Sequence, residues 1–497
     1  GKSERTTVGH GYVLAKEASD AINDLSYRPG GSNNAAVLAK ISPEQNNHGE
    51  TTLTSADLRG STEFGELAGG AIGLAVGVEA RRESIKIDPD SHLKRAEWVG
   101  LGSSSADGSR NVQSMFGELR LPVLKTLEAE AAVRFDHYSD YGNSTTPKVG
   151  LKWTPNSTIA LRSTYSEGFR APGLTQISKS SVQSFNTITD RLRCAGNVDP
   201  KTLDGTECTS GRSISSQIQA NPNLNPERSK SYTLGLVFSP TNNFSSTVDY
   251  YEIRRRDEID RVGSQYIIDQ TYLNGDQRFV NQIFRNPLQD TWVRDKSGNL
   301  IPNSGPIVST VRKFFNLGES RLKGVDLSVT LKNSLGEYGK LSSTFDGSYM
   351  LSYKQYTFPG DPFRDYAGAS GPNGALPRLK ASMASTWSKG PYNVTGRVNF
   401  TDGWYNSDSF LNCATTTNPA YTAEFPNCRV SSWTTFDLNV GYTGIKNLTL
   451  SATVRNLFNR EAPYDDSSTA IINQGYNDGF HNPYGRYLNV SASYKFY

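Results

Sequence analysis

The sequence predicts an all-β fold, a transmembrane antiparallel β-barrel of which about 16 strands lie in this chain. Three observations favour this fold. Apolar and polar residues alternate along most of the chain, short and long connections follow one another in turn, and there is no run of 18 or more uncharged apolar residues that would form a membrane-spanning helix. A barrel strand needs apolar residues only at every second position over roughly 9 to 11 residues, so the low mean hydropathy of −0.53 agrees with this fold.

The strands follow one another in pairs, after a first strand near 2–8 and a helical pattern near 13–25. Successive side chains of a strand point to opposite faces, so each predicted strand has one apolar and one polar face. In the stretch 71–83, for example, Leu74, Val76 and Val78 alternate with small or charged residues. The further predicted strands lie near 57–66, 71–83, 112–121, 127–138, 145–154, 158–166, 230–239, 244–256, 320–333, 340–356, 376–388, 392–402, 432–444, 448–455 and 485–497.

The connections between these strands differ in length in a regular way. Tight turns alternate with long connections, and a short link at 139–144 is the exception. Transmembrane barrels have short periplasmic turns and long extracellular loops. With the C-terminus in the periplasm, all the long connections are therefore expected outside the cell. They lie near 88–111, 167–229, 257–319, 357–375, 403–431 and 456–484.

Charge and cysteine content narrow the class of protein further. The chain has 52 Lys+Arg against 49 Asp+Glu, a net charge of +3, which is too even to indicate a nucleic-acid partner. Cys194 and Cys208 are 14 positions apart, and Cys413 and Cys428 are 15 apart, each pair within one loop-like, strand-poor segment. We predict two local disulfides formed in an oxidising compartment. Zinc binding is the competing interpretation, but none of the five histidines lies near either pair in sequence.

Five segments together carry a resemblance to a known family. They are 71–83 (AIGLAVGVEARRE), 165–174 (YSEGFRAPGL), 221–236 (NPNLNPERSKSYTLGL), 321–327 (RLKGVDL) and 452–464 (ATVRNLFNREAPY). In this order they resemble the barrel motifs of TonB-dependent outer-membrane receptors. Residue by residue, the motifs indicate strand ends and turns, as at Gly168, Pro172 and Pro226, rather than ligand contacts.

The resemblance implies a longer protein. Members of this family begin with a periplasmic box that contacts TonB, followed by a plug domain and 22 barrel strands. Residues 1–497 are therefore expected to be the C-terminal portion of such a barrel, with the plug and the first strands missing from this chain. A free sheet of 16 strands would leave two open edges in lipid, where unpaired backbone groups are costly.

The function that the resemblance implies is active import of a scarce nutrient across the bacterial outer membrane, with energy from the TonB complex. A ferric siderophore or similar iron complex is the favoured ligand, and an oligosaccharide or cobalamin are alternatives. The other expected partners are outer-membrane lipid and the barrel-assembly machinery. No cofactor is expected. A passive 16-stranded porin is the alternative function.

An enzyme is not predicted. The sequence contains no nucleophile elbow, no His-Glu-x-x-His zinc motif and no glycine-rich phosphate loop. His92, His137 and His481 are isolated in sequence, and the acidic pair Asp465 and Asp466 is a weak calcium signal. No metal site is therefore expected.

Two sets of residues are candidates for function. Aromatic faces in extracellular loops bind sugars and the aryl parts of siderophores. The candidate ligand-binding aromatics are Trp98, Tyr266, Tyr272, Trp292, Phe363, Tyr366, Trp404, Tyr405, Phe410 and Tyr476. The resemblance also implies that a C-terminal aromatic signal, formed by Tyr494, Phe496 and Tyr497, is recognised by the barrel-assembly machinery.

Overall fold

The computed structural model describes residues 1–203, 205–356, 358, 361–371, 374–405, 429–465 and 475–496. Strands dominate these residues. Their bounds are β1 Lys2–Gly9, β2 Gln45–Leu67, β3 Gly70–Asp88, β4 Ser104–Leu124, β5 Leu127–Tyr138, β6 Gly142–Trp153, β7 Ile159–Arg170, β8 Lys179–Ile188, β9 Arg212–Gln219, β10 Glu227–Thr241, β11 Phe244–Arg261, β12 Ile283–Arg285, β13 Ile307–Ser334, β14 Lys340–Tyr356, β15 Arg364–Asp365, β16 Ser370–Gly371, β17 Gly374–Ala375, β18 Leu379–Lys389, β19 Tyr392–Thr401, β20 Trp404–Tyr405, β21 Arg429–Val430, β22 Trp433–Ile445, β23 Leu448–Arg455 and β24 Tyr487–Tyr494.

Short helices lie between some of the strands. The α-helices are α1 Ala15–Asn23, α2 Ala35–Ile41, α3 Ser91–Lys94, α4 Leu174–Ile177 and α5 Ser264–Tyr272. Single 3-10 turns are Pro200–Thr202, Gln277–Gln282, Gln289–Thr291 and Gly336–Tyr338. The helical pattern near 13–25 is thus confirmed as α1. Across the described ranges, no helix combines the length and the apolar character needed to cross a bilayer.

The wall of the barrel is one continuous antiparallel sheet. Each of its strands pairs with the next in the order β1, β2, β3, β4, β5, β6, β7, β10, β11, β13, β14, β18, β19, β22, β23 and β24. These are the 16 predicted strands, so the predicted all-β barrel architecture is confirmed. Among the described residues, β1 pairs only with β2, and β24 pairs only with β23.

Several wall strands are longer than predicted, mostly at the end that carries the long connections. β2 begins at Gln45 rather than near 57, and β13 begins at Ile307 rather than near 320. With 28 residues, β13 is far longer than the roughly 9 to 11 that span a bilayer. The alternating pattern ends where the strand leaves the membrane, because neither face meets lipid there. The strand bounds predicted from the sequence therefore match the part of each strand expected in the membrane. They leave out the part that extends beyond it toward the long connections.

The two faces of the wall differ as predicted. Apolar side chains such as Val76, Val78 and Leu151 are about half exposed on one face, where lipid would cover them. Charged side chains such as Glu79 and Arg134 line the other face and pair with one another there, with Arg134 Nη2 3.1 Å from Glu79 Oε2. The clusters of buried apolar residues lie in the long connections, so the ordered core of this chain is at the end of the wall that carries these connections, the end expected outside the cell.

Candidate functional site

The long connections fold into an extracellular assembly at one end of the wall. The connection between β7 and β10 contains a hairpin of β8 and β9 that was not predicted from the sequence, and the cysteine pair lies in the strand-poor segment between these two strands. β8 pairs with the upper end of β4, and β9 pairs in parallel with β13 from Ser309 to Lys313. The upper parts of β4 and β13, with β8, β9 and β12, thus form a small sheet above the membrane, here called the extracellular sheet.

Helix α5 covers one face of the extracellular sheet. Its Ile268 is fully buried against Ile188, Ile214 and Ile307. Tyr272 from the end of the same helix packs against this cluster, and its hydroxyl accepts a 2.9 Å hydrogen bond from Arg285 Nε. Burial of four β-branched aliphatic side chains stabilises the cover by roughly 1.5–3 kcal/mol per side chain. Tyr272 therefore supports α5.

A disulfide and two buried ion pairs hold the connection between β7 and β10. Cys194 and Cys208 form the predicted disulfide, with Cα atoms 5.6 Å apart. Beside it, Arg193 Nη2 lies 2.8 Å from Glu207 Oε1, and both side chains are almost fully buried. The second predicted pair, Cys413 and Cys428, lies outside the described residues. One of the two predicted disulfides is thus confirmed.

The second of those ion pairs fastens the next long connection to the first. Arg285 donates to both carboxylate oxygens of Asp190, at 2.6 and 2.8 Å. Burial by itself lowers the pKa of Arg285, but the hydrogen bond and charge of Asp190 outweigh it and the pKa is raised. Bidentate charge-assisted bonds of this kind fix geometry as well as charge. The two connections therefore form one rigid unit.

An aromatic patch lies at the surface of this unit. Tyr266 stacks on Phe358 with ring centroids 3.9 Å apart, and it meets Phe279 edge-on at 6.1 Å. The guanidinium of Arg278 lies 5.6 Å from the Phe279 ring centroid. All three residues are half-buried, so part of each remains accessible. Tyr266 was among the predicted aromatics, whereas Phe279 and Phe358 were missed because they are far from it in sequence.

A second aromatic group surrounds His481. Its ring stacks on Trp404 at 5.2 Å and meets Trp433 edge-on at 5.3 Å. His481 is 3% exposed, and neither ring nitrogen has a hydrogen-bond partner among the described residues. Burial lowers the pKa of His481 to about 4, opposed by the negative charge of Asp465. The imidazole is therefore neutral at pH 7 and packs as an aromatic ring.

The remaining predicted aromatics occupy different environments. Trp98, Tyr366 and Trp404 are buried in loop packing and offer little surface to a ligand. Phe363 packs edge-on against Tyr356 at 4.8 Å, with the Arg321 guanidinium 4.3 Å from its centroid. Half-buried side chains are Trp292, Tyr405 and Tyr476, and Phe410 lies outside the described residues. The structure does not bring the nine described candidates together at one place.

The two best-defined sequence motifs meet at the rim of the wall. The register of β7 with β10 places Arg170 opposite Glu227, and their side chains form a bidentate ion pair. Glu227 is 6% exposed and also accepts a 2.7 Å hydrogen bond from the backbone N–H of Ile259. These motif residues therefore fasten three strands together at the base of the long connections, in agreement with the structural role predicted for the motifs.

One cluster of potential metal ligands occurs in the part of the chain that the structure describes. Glu4, His48 and Glu50 have ligand atoms within 4.8 Å of one another on β1 and β2. The Lys2 ammonium lies 2.5 Å from Glu4 and 3.3 Å from Glu50. The lysine therefore already supplies positive charge to both carboxylates.

Comparison with known proteins adds the following. The family model described as "TonB dependent receptor-like, beta-barrel" matches residues 1–457. Heme/hemopexin utilization protein C of Haemophilus influenzae is 23% identical over 56% of this chain and 34% of its own length. The iron-regulated outer membrane virulence protein of Vibrio cholerae is 21% identical over 79% of this chain and 46% of its own length.

A solved structure, the siderophore receptor PirA from Acinetobacter baumannii, superposes with a TM-score of 0.60 and 18% identity, over 100% of this chain and 59% of that one. At this identity the likeness shows the fold. This chain spans about a third to three fifths of the length of these proteins. The match over most of the chain shows that it belongs to the TonB-dependent receptor-like β-barrel family, whose place is the bacterial outer membrane.

Proposed function

We propose that this chain is the barrel wall of an active importer that carries an iron complex, a ferric siderophore or similar complex, across the outer membrane. Energy comes from the TonB complex. The observation that carries the proposal is the extracellular assembly, because its rigid, disulfide-fastened connections hold half-exposed aromatic rings and arginines where a bulky anionic ligand arrives. Sites of this kind suit the aryl groups and charge of an iron chelate.

The names of the relatives support iron as the cargo. One relative is named for haem and hemopexin utilisation, one is called iron-regulated, and the superposed structure is a siderophore receptor. None of these names refers to a sugar or to cobalamin. An iron complex is therefore the better proposal than an oligosaccharide or cobalamin.

The chain acts as the C-terminal portion of a longer receptor. Support comes from the free edges of β1 and β24, which in lipid would leave a row of unpaired backbone groups. The share of the relatives' length that the chain spans agrees with this. In the whole receptor, further strands pair with these edges, and a plug in the lumen contacts TonB.

In this proposal, the ligand first contacts the aromatic patch formed by Tyr266, Phe279 and Phe358. These three rings are stacked together and half exposed, which distinguishes them from the buried Trp98, Tyr366 and Trp404. Because aromatic side chains lose little conformational entropy on binding, such a patch binds planar groups well.

Assembly of the barrel depends on the C-terminal aromatics. Tyr494 and Phe496 lie edge-on at 5.0 Å and are both exposed, on the face that lipid would cover. Tyr497 lies outside the described residues. Deleting Tyr497 tests its role, because unchanged insertion into the outer membrane would show that Tyr494 and Phe496 suffice for the barrel-assembly machinery.

Iron control of the gene tests the proposed cargo. Expression of the full gene is expected to rise when iron is chelated and to fall when iron is restored. A strain without the gene is expected to grow more slowly on the ligand as sole iron source, and as fast as the parent on free iron. Expression that ignores iron but follows a sugar would contradict an iron complex as the cargo.

The alternative function is a passive porin. One observation favours it: the described residues form 16 wall strands, and bacterial barrels have an even number of strands. Conductance separates the two functions. A porin gives a steady current in a planar bilayer, whereas a receptor filled by a plug is nearly silent. The recording uses the full-length protein, and a large steady conductance would favour the porin.

A further inference from the structure

Arg312 of β13 is a buried arginine for which the described residues supply no counter-ion. It is 7% exposed, and no carboxylate forms an ion pair with it in the part of the chain that the structure describes. Nε donates to Ser216 Oγ at 2.7 Å and Nη2 donates to Ser184 Oγ at 3.3 Å. An arginine has five N–H donors, so these two bonds leave Nη1 and one N–H of Nη2 unused.

The position of Arg312 is extracellular. It lies 22 residues before Ser334, the periplasmic end of β13, which is about 70 Å of strand at roughly 3.3 Å per residue. Even for a strand tilted by about 45°, this exceeds the roughly 30 Å hydrocarbon thickness. Arg312 therefore lies in the extracellular sheet, where β13 runs beside β9 and under α5.

Hydroxyl groups line the guanidinium on the side of α5. Ser264 Oγ is 2.8 Å from Thr310 Oγ1 and 3.3 Å from Ser216 Oγ, and all three residues are buried. Hydroxyls solvate a charge but do not neutralise it. The unused N–H groups of Arg312 are not enclosed, so an anion can reach the free edge of the guanidinium.

Two further positively charged features, the N-terminus of α5 and Arg261, lie near Arg312. Ser264 is the first residue of α5, a nine-residue helix whose N-cap, Gly263, offers no side-chain cap. Helix N-termini carry a partial positive charge of about half a unit. Arg261, at the end of β11, has no ion pair with a described residue and is near enough to act on Arg312: the pKa of Arg312 is lowered, by burial first and by the charge of Arg261 second.

We infer that Arg312, oriented by its hydrogen bonds to Ser184 and Ser216, holds an anionic oxygen group, a carboxylate or a phosphate, near the N-terminus of α5. The group accepts hydrogen bonds from the free edge of the Arg312 guanidinium and balances its charge. It belongs either to a free anion or to a larger ligand that reaches the site with one end. The inference stands on the charge and burial of Arg312 and does not require that the protein transport anything.

Binding of inorganic phosphate tests the inference directly. The purified full-length receptor, in detergent and in a chloride-free buffer of constant ionic strength, is dialysed against radiolabelled phosphate. One saturable site per barrel is expected. Arg312→Gln is expected to weaken binding about tenfold or more, because charge-assisted hydrogen bonds are lost. Arg294→Gln is the matched control, since Arg294 is an exposed arginine in the same long connection, and its affinity should equal that of the wild type.

Acetate distinguishes the two kinds of group. If acetate displaces labelled phosphate, a carboxylate fits the site; if only phosphate and its esters do so, the site takes a tetrahedral anion. If Arg312→Gln does not fold, as judged by heat-dependent mobility on gels, Arg261→Gln replaces it and should weaken phosphate binding. Equal affinity in Arg312→Gln and wild type, or no binding of either phosphate or acetate by the wild type, would overturn the inference.

Discussion

At the residue scale, charged and polar side chains in this protein act mainly by fastening distant segments together. Arg170 and Glu227 are 57 positions apart and meet only because β7 pairs with β10. Both residues are visible in the sequence motifs, but their pairing depends on the register of two strands. The two motifs could therefore be recognised in the sequence, but the ion pair between Arg170 and Glu227 could not.

Loss of the Glu227 charge should weaken the rim of the wall. Glu227→Gln keeps the shape of the side chain but removes the charge that pairs with Arg170. Because Arg170 is itself 60% exposed, the expected loss is moderate, about 1–3 kcal/mol of unfolding free energy. Urea unfolding in lipid vesicles measures it. Asp20→Asn, in an exposed pair with Lys16, is the control and should change stability by less than about 0.5 kcal/mol.

Acid should loosen the segment around His481. Its pKa is near 6.5 in an unfolded chain and about 4 in the folded protein, so between these values the unfolded state binds more protons. The stability of this segment is therefore complete above about pH 6.5 and falls as the pH drops toward about 4. The protection of 475–486 against hydrogen exchange, taken relative to the intrinsic exchange rate at each pH, should fall over this range. In His481→Phe, which keeps the ring stacking, the pH dependence should disappear; its persistence would refute this assignment.

At the scale of elements, the wall was predictable and the extracellular assembly was less so. Apolar and polar residues alternate along the wall strands because one face of each strand meets lipid and the other meets the lumen. β9 also alternates, with Ile214 and Ile218 buried on one face, so a signal for it was present in the sequence. Its parallel pairing with β13, 94 positions away at Ser309 and Ser215, carries no local signal.

Opening the Cys194–Cys208 disulfide should destabilise the connection between β7 and β10. A closed loop of this length constrains the unfolded segment by about 3 kcal/mol. The double variant Cys194→Ser and Cys208→Ser is expected to be cleaved faster by protease within 189–211, while the wall stays intact. Reducing agent should make the wild type behave like the variant and should leave the variant unchanged. Equal cleavage in all cases would contradict a stabilising role.

The aromatic patch should contribute to ligand capture. Truncation of a central aromatic anchor typically costs about 2 kcal/mol of binding free energy, or roughly 30-fold in affinity. Tyr266→Ala in the full-length receptor is therefore expected to weaken binding of the transported iron complex, measured by fluorescence quenching on whole cells. Tyr338→Ala is the control, since Tyr338 is an exposed tyrosine at a short turn on the opposite end of the wall. Equal effects of the two variants would argue against the patch.

At the scale of the whole molecule, one asymmetry dominates. The short turns lie at one end of the wall, and the long connections build an ordered assembly at the other, where the buried clusters are found. This arrangement suits capture of a ligand outside the cell and leaves the wall itself as a scaffold. The identity of the ligand could not be predicted from the sequence, because it depends on which side chains the loops bring together.

Uptake of radioactive iron in the presence and absence of TonB tests the central claim most directly. Cells that carry the full-length gene receive the ⁵⁵Fe-labelled siderophore or haem that supports their growth. We predict accumulation in the parent strain, and loss of accumulation both in a strain without the gene and in a strain without TonB, with surface binding retained in the latter. Uptake that continues unchanged without TonB would contradict the account.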